Sequence, residues 1–301
     1  TFEINKRDKS ILYRASADKG EEIFMIIPGK RISEGTANVY NKLISDILPS
    51  WRHMPKRNNS IIFTNGYETA VEYKGYGKRI SGVIYSVIPP NDALLAISPD
   101  QDIWLGFSYL AAETGLEDLD DFNNSILMFL AFFYKFIRNK DLIDKIEASE
   151  YEAFKTLKDI LSEEIFIVNK LKNIFTKPGK SLIVNMFNEI DKLLADERAR
   201  NIILPIYEKY ANDNPFPNTG EYIIEQKTLN PNISILSILD KLLDPEENGF
   251  ALIQYALFLE NTFPISEIWT DKPCVFIDIN DPNLLAELYM KYNRLKKGKE
   301  V

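Results

Sequence analysis

The stretch from residue 56 to residue 88 constrains the fold of this chain more than any other. Residues 60–64 (Ser-Ile-Ile-Phe-Thr) predict a short apolar strand, and the Asn-Gly pair at 65–66 predicts a tight turn after it. One helical pass then covers 67–76, and a second strand follows at 80–88. Strand, turn, short helix and strand form an α/β unit. The turn at the end of the first strand is a place where a small ligand can meet hydroxyl and backbone groups together.

Further elements flank this unit on both sides. Strand patterns occur at residues 10–16 and 22–27 before it, and at 93–97 and 274–279 after it. Between the early strands and the central unit, apolar residues at helical spacing predict an amphipathic helix at 36–48. The elements around the central unit are therefore mainly strands.

The pattern changes to helix after helix between residues 102 and 262. The apolar run 250–259 belongs to this helical part, whereas 220–226 is also open to interpretation as a strand. We therefore predict an α+β fold with a large helical insertion. An α/β body is formed by residues 1–101 and 263–301, and the insertion domain covers 102–262.

Composition excludes several classes of chemistry. With one cysteine, Cys274, the chain cannot form an intrachain disulfide, and with one histidine, His53, it cannot build a zinc site from two cysteines and two histidines. The net charge of −8 argues against a nucleic-acid partner. The most apolar run, residues 125–137, is too short to span a bilayer and predicts a buried helix. We expect no metal and no membrane partner, and action in a cytoplasm, that of the protein's own cell or of a host after delivery.

Local charge runs have ordinary explanations. The acidic run 117–121 is typical of a solvated helix start, where carboxylates suit the helix dipole. His53 is expected at the surface. Basic pairs at 30–31, 56–57 and 78–79 are open to two interpretations, solvated loop ends or contacts to a phosphate, because they flank the strand motifs.

Three short motifs occur in a fixed order. Tyr-Arg at 13–14 lies on the first predicted strand, Thr-Asn-Gly at 64–66 ends the central strand, and Ser-Glu at 266–267 precedes a late strand. An arginine inside an apolar strand either points to water from an edge or is aimed at an anionic group in a cleft. With Thr-Ala at 69–70 and Tyr73 in the helix, this order resembles the mono-ADP-ribosyltransferases of the cholera-toxin-like Arg–Ser–Glu class.

The resemblance implies an ADP-ribosyltransferase-like fold, NAD as substrate, release of nicotinamide and transfer of ADP-ribose to a protein acceptor. Glu267 would hold a ribose hydroxyl and stabilise the positive charge of the transition state. Arg14 would hold a phosphate or the nicotinamide-side ribose, and Thr64 would donate a hydrogen bond to Glu267. The other NAD-binding candidates that the resemblance implies are Ser60 as a substitute for Thr64, the backbone of Ala15, Asn65, and Tyr73 or Tyr76, for which ring stacking and core packing are equally open.

The chain departs from the family pattern at two places. Asn65 and Gly66 replace the second and third residues of the Ser-Thr-Ser motif, and Ile265 stands where arginine-modifying members carry Glu and others Gln. The acceptor residue is therefore left open. Two alternatives remain, a catalytically silent scaffold of the same fold whose helical domain binds a protein, and a helical adaptor with an unrelated α/β cap. The transferase hypothesis predicts that Arg14, Thr64 and Glu267 line one cleft, whereas the adaptor places Arg14 far from Glu267.

Overall fold

The chain divides into two compact units. The structure, a computed structural model, describes residues 10–16, 23–29, 39–75, 82–116, 118–176, 180–212 and 218–279. A sheet unit takes the described residues of 1–31, 54–106 and 249–301, and a helical unit takes those of 32–53 and 107–248. The sheet unit is thus assembled from three separate stretches of chain.

In the residues that the structure describes, the fold is mixed α+β and its eight strands form a single sheet. The strands are β1 Leu12–Ser16, β2 Ile23–Ile26, β3 Ile61–Thr64, β4 Val83–Ile88, β5 Leu94–Ile97, β6 Ala251–Gln254, β7 Glu267–Thr270 and β8 Cys274–Asp278. The helices are α1 Val39–Lys42, α2 Tyr67–Gly75, α3 Ser108–Thr114, α4 Leu119–Arg138, α5 Leu142–Ala148, α6 Glu150–Thr176, α7 Ser181–Ala195, α8 Glu197–Asn212, α9 Asn218–Leu229, α10 Ile235–Leu242 and α11 Tyr255–Phe258.

The strand order is β2-β8-β4-β1-β3-β7-β5-β6, and neighbouring strands pair antiparallel. Because β3 and β4 are both antiparallel to β1, they run parallel to each other on either side of it, and α2 connects them. The predicted strand–turn–helix–strand unit is therefore confirmed. The three strands that carry the sequence motifs, β1, β3 and β7, are neighbours in the sheet.

The two faces of the sheet differ in character. On one face, side chains of β1, β3, β4, β7 and β8 form an apolar core, as expected because alternate side chains of a strand point to the same face. Leu12, Phe63, Tyr85 and Phe276 belong to this core. We call this side of the sheet the Arg14 face, because side chains two residues apart on a strand share a face and Arg14 follows Leu12 by two. The opposite face, which we call the Glu267 face, is covered in part by α2, whose Ala70 packs on Tyr13 and Ile84.

The helical unit is built around α4, as its apolar pattern predicts. Phe129, Phe132 and Phe133 of α4 are fully buried and contact the rings of Tyr207 and Tyr210 on α8. The Asp118 carboxylate accepts hydrogen bonds from the backbone N–H groups of the first turn of α4, so the interpretation of the acidic run as a helix start is confirmed. In the described part of the chain, no helix is long and apolar enough to cross a membrane.

Two secondary-structure predictions are wrong. The possible strand at 220–226 is part of α9, because Thr219, Ile223 and Lys227 are buried at helical spacing. The run 250–259 is only partly helical. It opens with β6, whose exposure alternates residue by residue and which pairs with β5.

The predicted domain boundaries also differ from the observed units. Residues 249–262, assigned to the helical insertion, lie in the sheet unit. The helix predicted at 36–48 is α1 followed by a π-helical turn at Leu43–Ile47, and it belongs to the helical unit. The described ranges exclude the basic pairs at 30–31 and 78–79.

Candidate functional site

Glu267 is held by backbone pairing on both sides of its strand. It opens β7 and lies directly opposite Thr64 of β3, so their side chains share a face of the sheet. Its backbone is held on the other side as well, since its N–H donates to Asp100 O at 3.0 Å and its carbonyl accepts from Ser98 N at 2.9 Å. The residue is only 6% exposed. The backbone of β7 thus fixes the position of a buried carboxylate on one face of the sheet.

The partner of this carboxylate is Arg57. Arg57 Nε and Nη2 each lie 2.9 Å from Glu267 Oε1, and the two side chains are 11% and 7% exposed. Both guanidinium donors converge on one oxygen. Glu267 Oε2 has no hydrogen-bond partner among the residues that the structure describes. Removing either member of such a buried pair leaves an uncompensated charge, which is strongly unfavourable.

Tyr73 and Asp102 stand beside this ion pair. The Tyr73 hydroxyl donates to Gln101 O at 3.2 Å and lies near the Asp102 carboxylate. Burial raises the pKa of Tyr73 above its usual value, and the negative charges of Asp102 and Glu267 raise it further. Burial also raises the pKa of the Asp102 carboxyl, against the opposing hydrogen bond from the Trp104 N–H. The group therefore consists of two carboxylates, one guanidinium and one half-buried phenol.

The turn at 64–66 holds the start of β7 in place. Thr64 Oγ1 accepts from Gly66 N at 3.1 Å, and the predicted hydrogen bond from Thr64 to Glu267 is not formed. The Asn65 side chain donates to Pro264 O at 2.7 Å and accepts from Ser266 N at 2.8 Å. Asn65 thus fixes the residues just before Glu267. This is a structural role, whereas the sequence interpretation predicted that Asn65 binds NAD.

Gly66 has no room for a side chain. A Cβ atom there would lie 2.5 Å from Ile265 Cγ2 and 2.9 Å from Thr69 Oγ1. The glycine that departs from the Ser-Thr-Ser pattern therefore permits a close approach between this turn and the segment that enters β7.

The prediction that Arg14 lines the same cleft is wrong. Tyr13 is the residue opposite Thr64, so Arg14, one position later, projects from the other face. Arg14 is opposite Tyr85, lies 6.0 Å from the Phe276 ring centroid, and donates from Nη1 to Ile62 O at 3.2 Å. Arg57, not Arg14, is the arginine at Glu267.

Two further predicted residues, Ser60 and Ala15, form other contacts. The Ser60 hydroxyl donates to Lys56 O at 2.8 Å, and Ala15 pairs with Ile84 in the β1–β4 ladder. Tyr76 lies outside the described residues. Across the described ranges, no group of three or more acidic, histidine or cysteine side chains could hold a metal ion.

Sequence reasoning missed Arg57 and Asp102. The basic pair at 56–57 was a signal for Arg57, since phosphate contact was one of its two interpretations. No local pattern marked Asp102, whose proximity to Tyr73 depends on the packing of α2 against the segment after β5. Chemically, Oε2 of Glu267 can accept a hydrogen bond from a hydroxyl, whereas the Arg57 guanidinium already donates twice to Oε1. Comparisons with protein-family models, with curated proteins and with solved structures found no match to this chain.

Proposed function

We propose that this chain is an NAD-dependent mono-ADP-ribosyltransferase of an ADP-ribosyltransferase-like fold, with Glu267 as its essential carboxylate. One observation carries the proposal. Glu267, distant in sequence, lies directly opposite Thr64 on adjacent strands, beside Arg57 and near Tyr73 of α2. The residues 60–66, 69–73 and 266–267 that resemble the family are therefore neighbours in the sheet unit. The first motif supports the proposal only through its strand, β1, which is adjacent to β3.

The proposed reaction breaks the bond between C1′ of the nicotinamide-side ribose and the nicotinamide nitrogen. The electron pair leaves with nicotinamide, which becomes neutral and needs no proton. An acceptor side chain forms the new bond to C1′, and its proton passes to a carboxylate, for which Glu267 is the candidate. The transition state resembles an oxocarbenium ion. A fixed negative charge beside it is the kind of electrostatic stabilisation that accelerates such reactions most.

The unpartnered Oε2 of Glu267 supports this role. The pair with Arg57 occupies Oε1 alone, so Oε2 can accept from a ribose hydroxyl once one of the two buried side chains moves aside. Arg57 has the planar fork of donors that suits a phosphate, and it can present this fork only when its pair with Glu267 opens. We propose that Arg57 takes the anion-binding role that the resemblance had assigned to Arg14.

The second candidate is the catalytically silent scaffold. The burial of the Arg57–Glu267 ion pair favours it. The Glu267 and Arg57 side chains are 7% and 11% exposed, so a substrate must move one of them to reach the carboxylate. If the pair does not open, it only holds the segment around Arg57 to β7. This candidate predicts a folded protein that binds a partner through its helical unit.

Incubation of the full chain with NAD labelled in the adenylate part separates the candidates. Nicotinamide release together with label on proteins of a cell lysate supports the transferase. Release without any labelled protein overturns transfer and indicates hydrolysis of NAD. Absence of both release and NAD binding supports the scaffold.

A further inference from the structure

The helical unit contains a surface cavity that the proposed chemistry does not use. It has a volume of about 570 Å³ and lies where α3, α8 and α9 meet. Pockets of this size are typical of small-molecule sites. Its lining combines two phenols, Tyr207 and Tyr222, and apolar side chains with an unusual number of carboxylates.

Four glutamates line this cavity: Glu113, Glu208, Glu221 and Glu225. None of them forms an ion pair with a lysine or arginine of the described residues. Glu221 and Glu225 are four residues apart on α9, where like charges repel and weaken the helix. The arrangement therefore costs stability in the free protein, and a bound cation would relieve that cost.

Tyr207 supplies the second, independent observation. It lines the cavity and is 4% exposed, yet its hydroxyl has no hydrogen-bond partner among the residues in the described ranges. Its ring packs on Phe129 and Phe132, and room for the hydroxyl exists because position 220 is glycine, where a Cβ would overlap it. The hydroxyl is open to the cavity rather than fully buried, so the N–H of a ligand can donate to it.

The lining also decides which kind of cation fits. No three of these acids are grouped closely enough to hold a metal ion, as far as the described residues show. Leu204, Pro205 and Ile224 also line the cavity and offer apolar surface. Methylene segments match that surface, and ammonium groups match the carboxylates and the phenol oxygen.

We propose that this cavity binds a linear aliphatic polyamine, with its ammonium groups at the four glutamates and at the Tyr207 hydroxyl. The proposal does not rest on the ADP-ribosyltransferase hypothesis. Because the glutamates are exposed at the rim, binding is expected to weaken as salt rises.

Isothermal titration of spermidine into the full chain tests the proposal, with Tyr207→Phe as the decisive variant. Loss of the hydroxyl leaves the ring packing unchanged, so the melting temperature without ligand should stay equal or rise. Spermidine affinity should fall about tenfold or more, because a hydrogen bond to a charged donor is lost. Tyr210→Phe is the control. Its hydroxyl bonds Met128 O and Glu164, so it should lower the melting temperature and leave spermidine affinity unchanged.

A charge-matched pair of variants completes the test. Glu221→Gln with Glu225→Gln should weaken spermidine binding about tenfold. Glu246→Gln with Glu247→Gln removes the same charge from exposed residues outside the cavity and should change affinity less than twofold. Equal affinity of wild type and Tyr207→Phe, or equal loss in both double variants, would overturn the proposal. Tighter binding of a trilysine peptide than of spermidine would overturn it in favour of a peptide ligand.

Discussion

The two faces of the central sheet treat their arginines differently. On the Glu267 face, Arg57 comes from a loop and places two donors on a buried carboxylate. On the Arg14 face, Arg14 comes from the strand itself and uses its donor on the carbonyl of Ile62, beside an aromatic ring. The first arginine compensates a charge that a substrate could use, whereas the second bonds to the backbone between β1 and β3. The arginine of the candidate site is therefore Arg57, which lies outside the strand motif, and not Arg14, which lies in it.

The largest expected effect on stability comes from removing the carboxylate outright. Glu267→Ala would remove the carboxylate that pairs with the buried Arg57, and we expect a loss of about 3–5 kcal/mol in the free energy of unfolding. Chemical denaturation measures this loss. The double variant Arg57→Met with Glu267→Leu should recover most of it, because both charges are then absent. A single-variant loss below about 1 kcal/mol would show that the ion pair does not persist in solution.

Exchange of each arginine for lysine compares the two faces in ligand binding. Arg57→Lys replaces a fork of donors by a point charge, so we expect NAD binding to weaken about tenfold. Arg14→Lys should leave NAD affinity within about twofold, because Arg14 lies on the other face. Titration of NAD by calorimetry gives both values. The reverse order of effects would restore Arg14 as the NAD-binding arginine.

A smaller effect is expected at Asp102. Because burial raises its pKa in the folded chain above the usual value of 3.8, the folded state binds a proton more tightly than the unfolded state. Asp102 therefore lowers stability progressively as pH rises from its unfolded pKa through its folded pKa. Asp102→Asn should raise stability near neutral pH and reduce this pH dependence, while the asparagine still accepts from Trp104 N. Urea unfolding between about pH 4 and pH 7 measures the slope. An unchanged slope would show that another group titrates.

The sequence predicted the sheet strands near the site but not their registers. Alternation and turn signals located β1, β3, β4 and β8 to within a few residues. The face on which Arg14 projects depends on pairing of Tyr13 with Thr64, and a shift of one residue reverses it. No period-two or helical pattern could place Arg57, which lies in a short 3-10 turn between elements. β6 was missed because four residues are too few to outweigh the helical run around them.

The central claim is that the reactive carboxylate is the one on the Glu267 face, and a matched pair of isosteric substitutions tests it most directly. Glu267 and Asp278 are each 6% exposed in the same sheet, but Asp278 lies opposite Tyr85 on the Arg14 face. Nicotinamide release from NAD should be measured on Glu267→Gln and Asp278→Asn, with rates corrected for the folded fraction. We predict a loss of about 100- to 1000-fold for Glu267→Gln and a change of less than about threefold for Asp278→Asn. Wild-type turnover by Glu267→Gln, or an equal loss in both variants, would contradict the account.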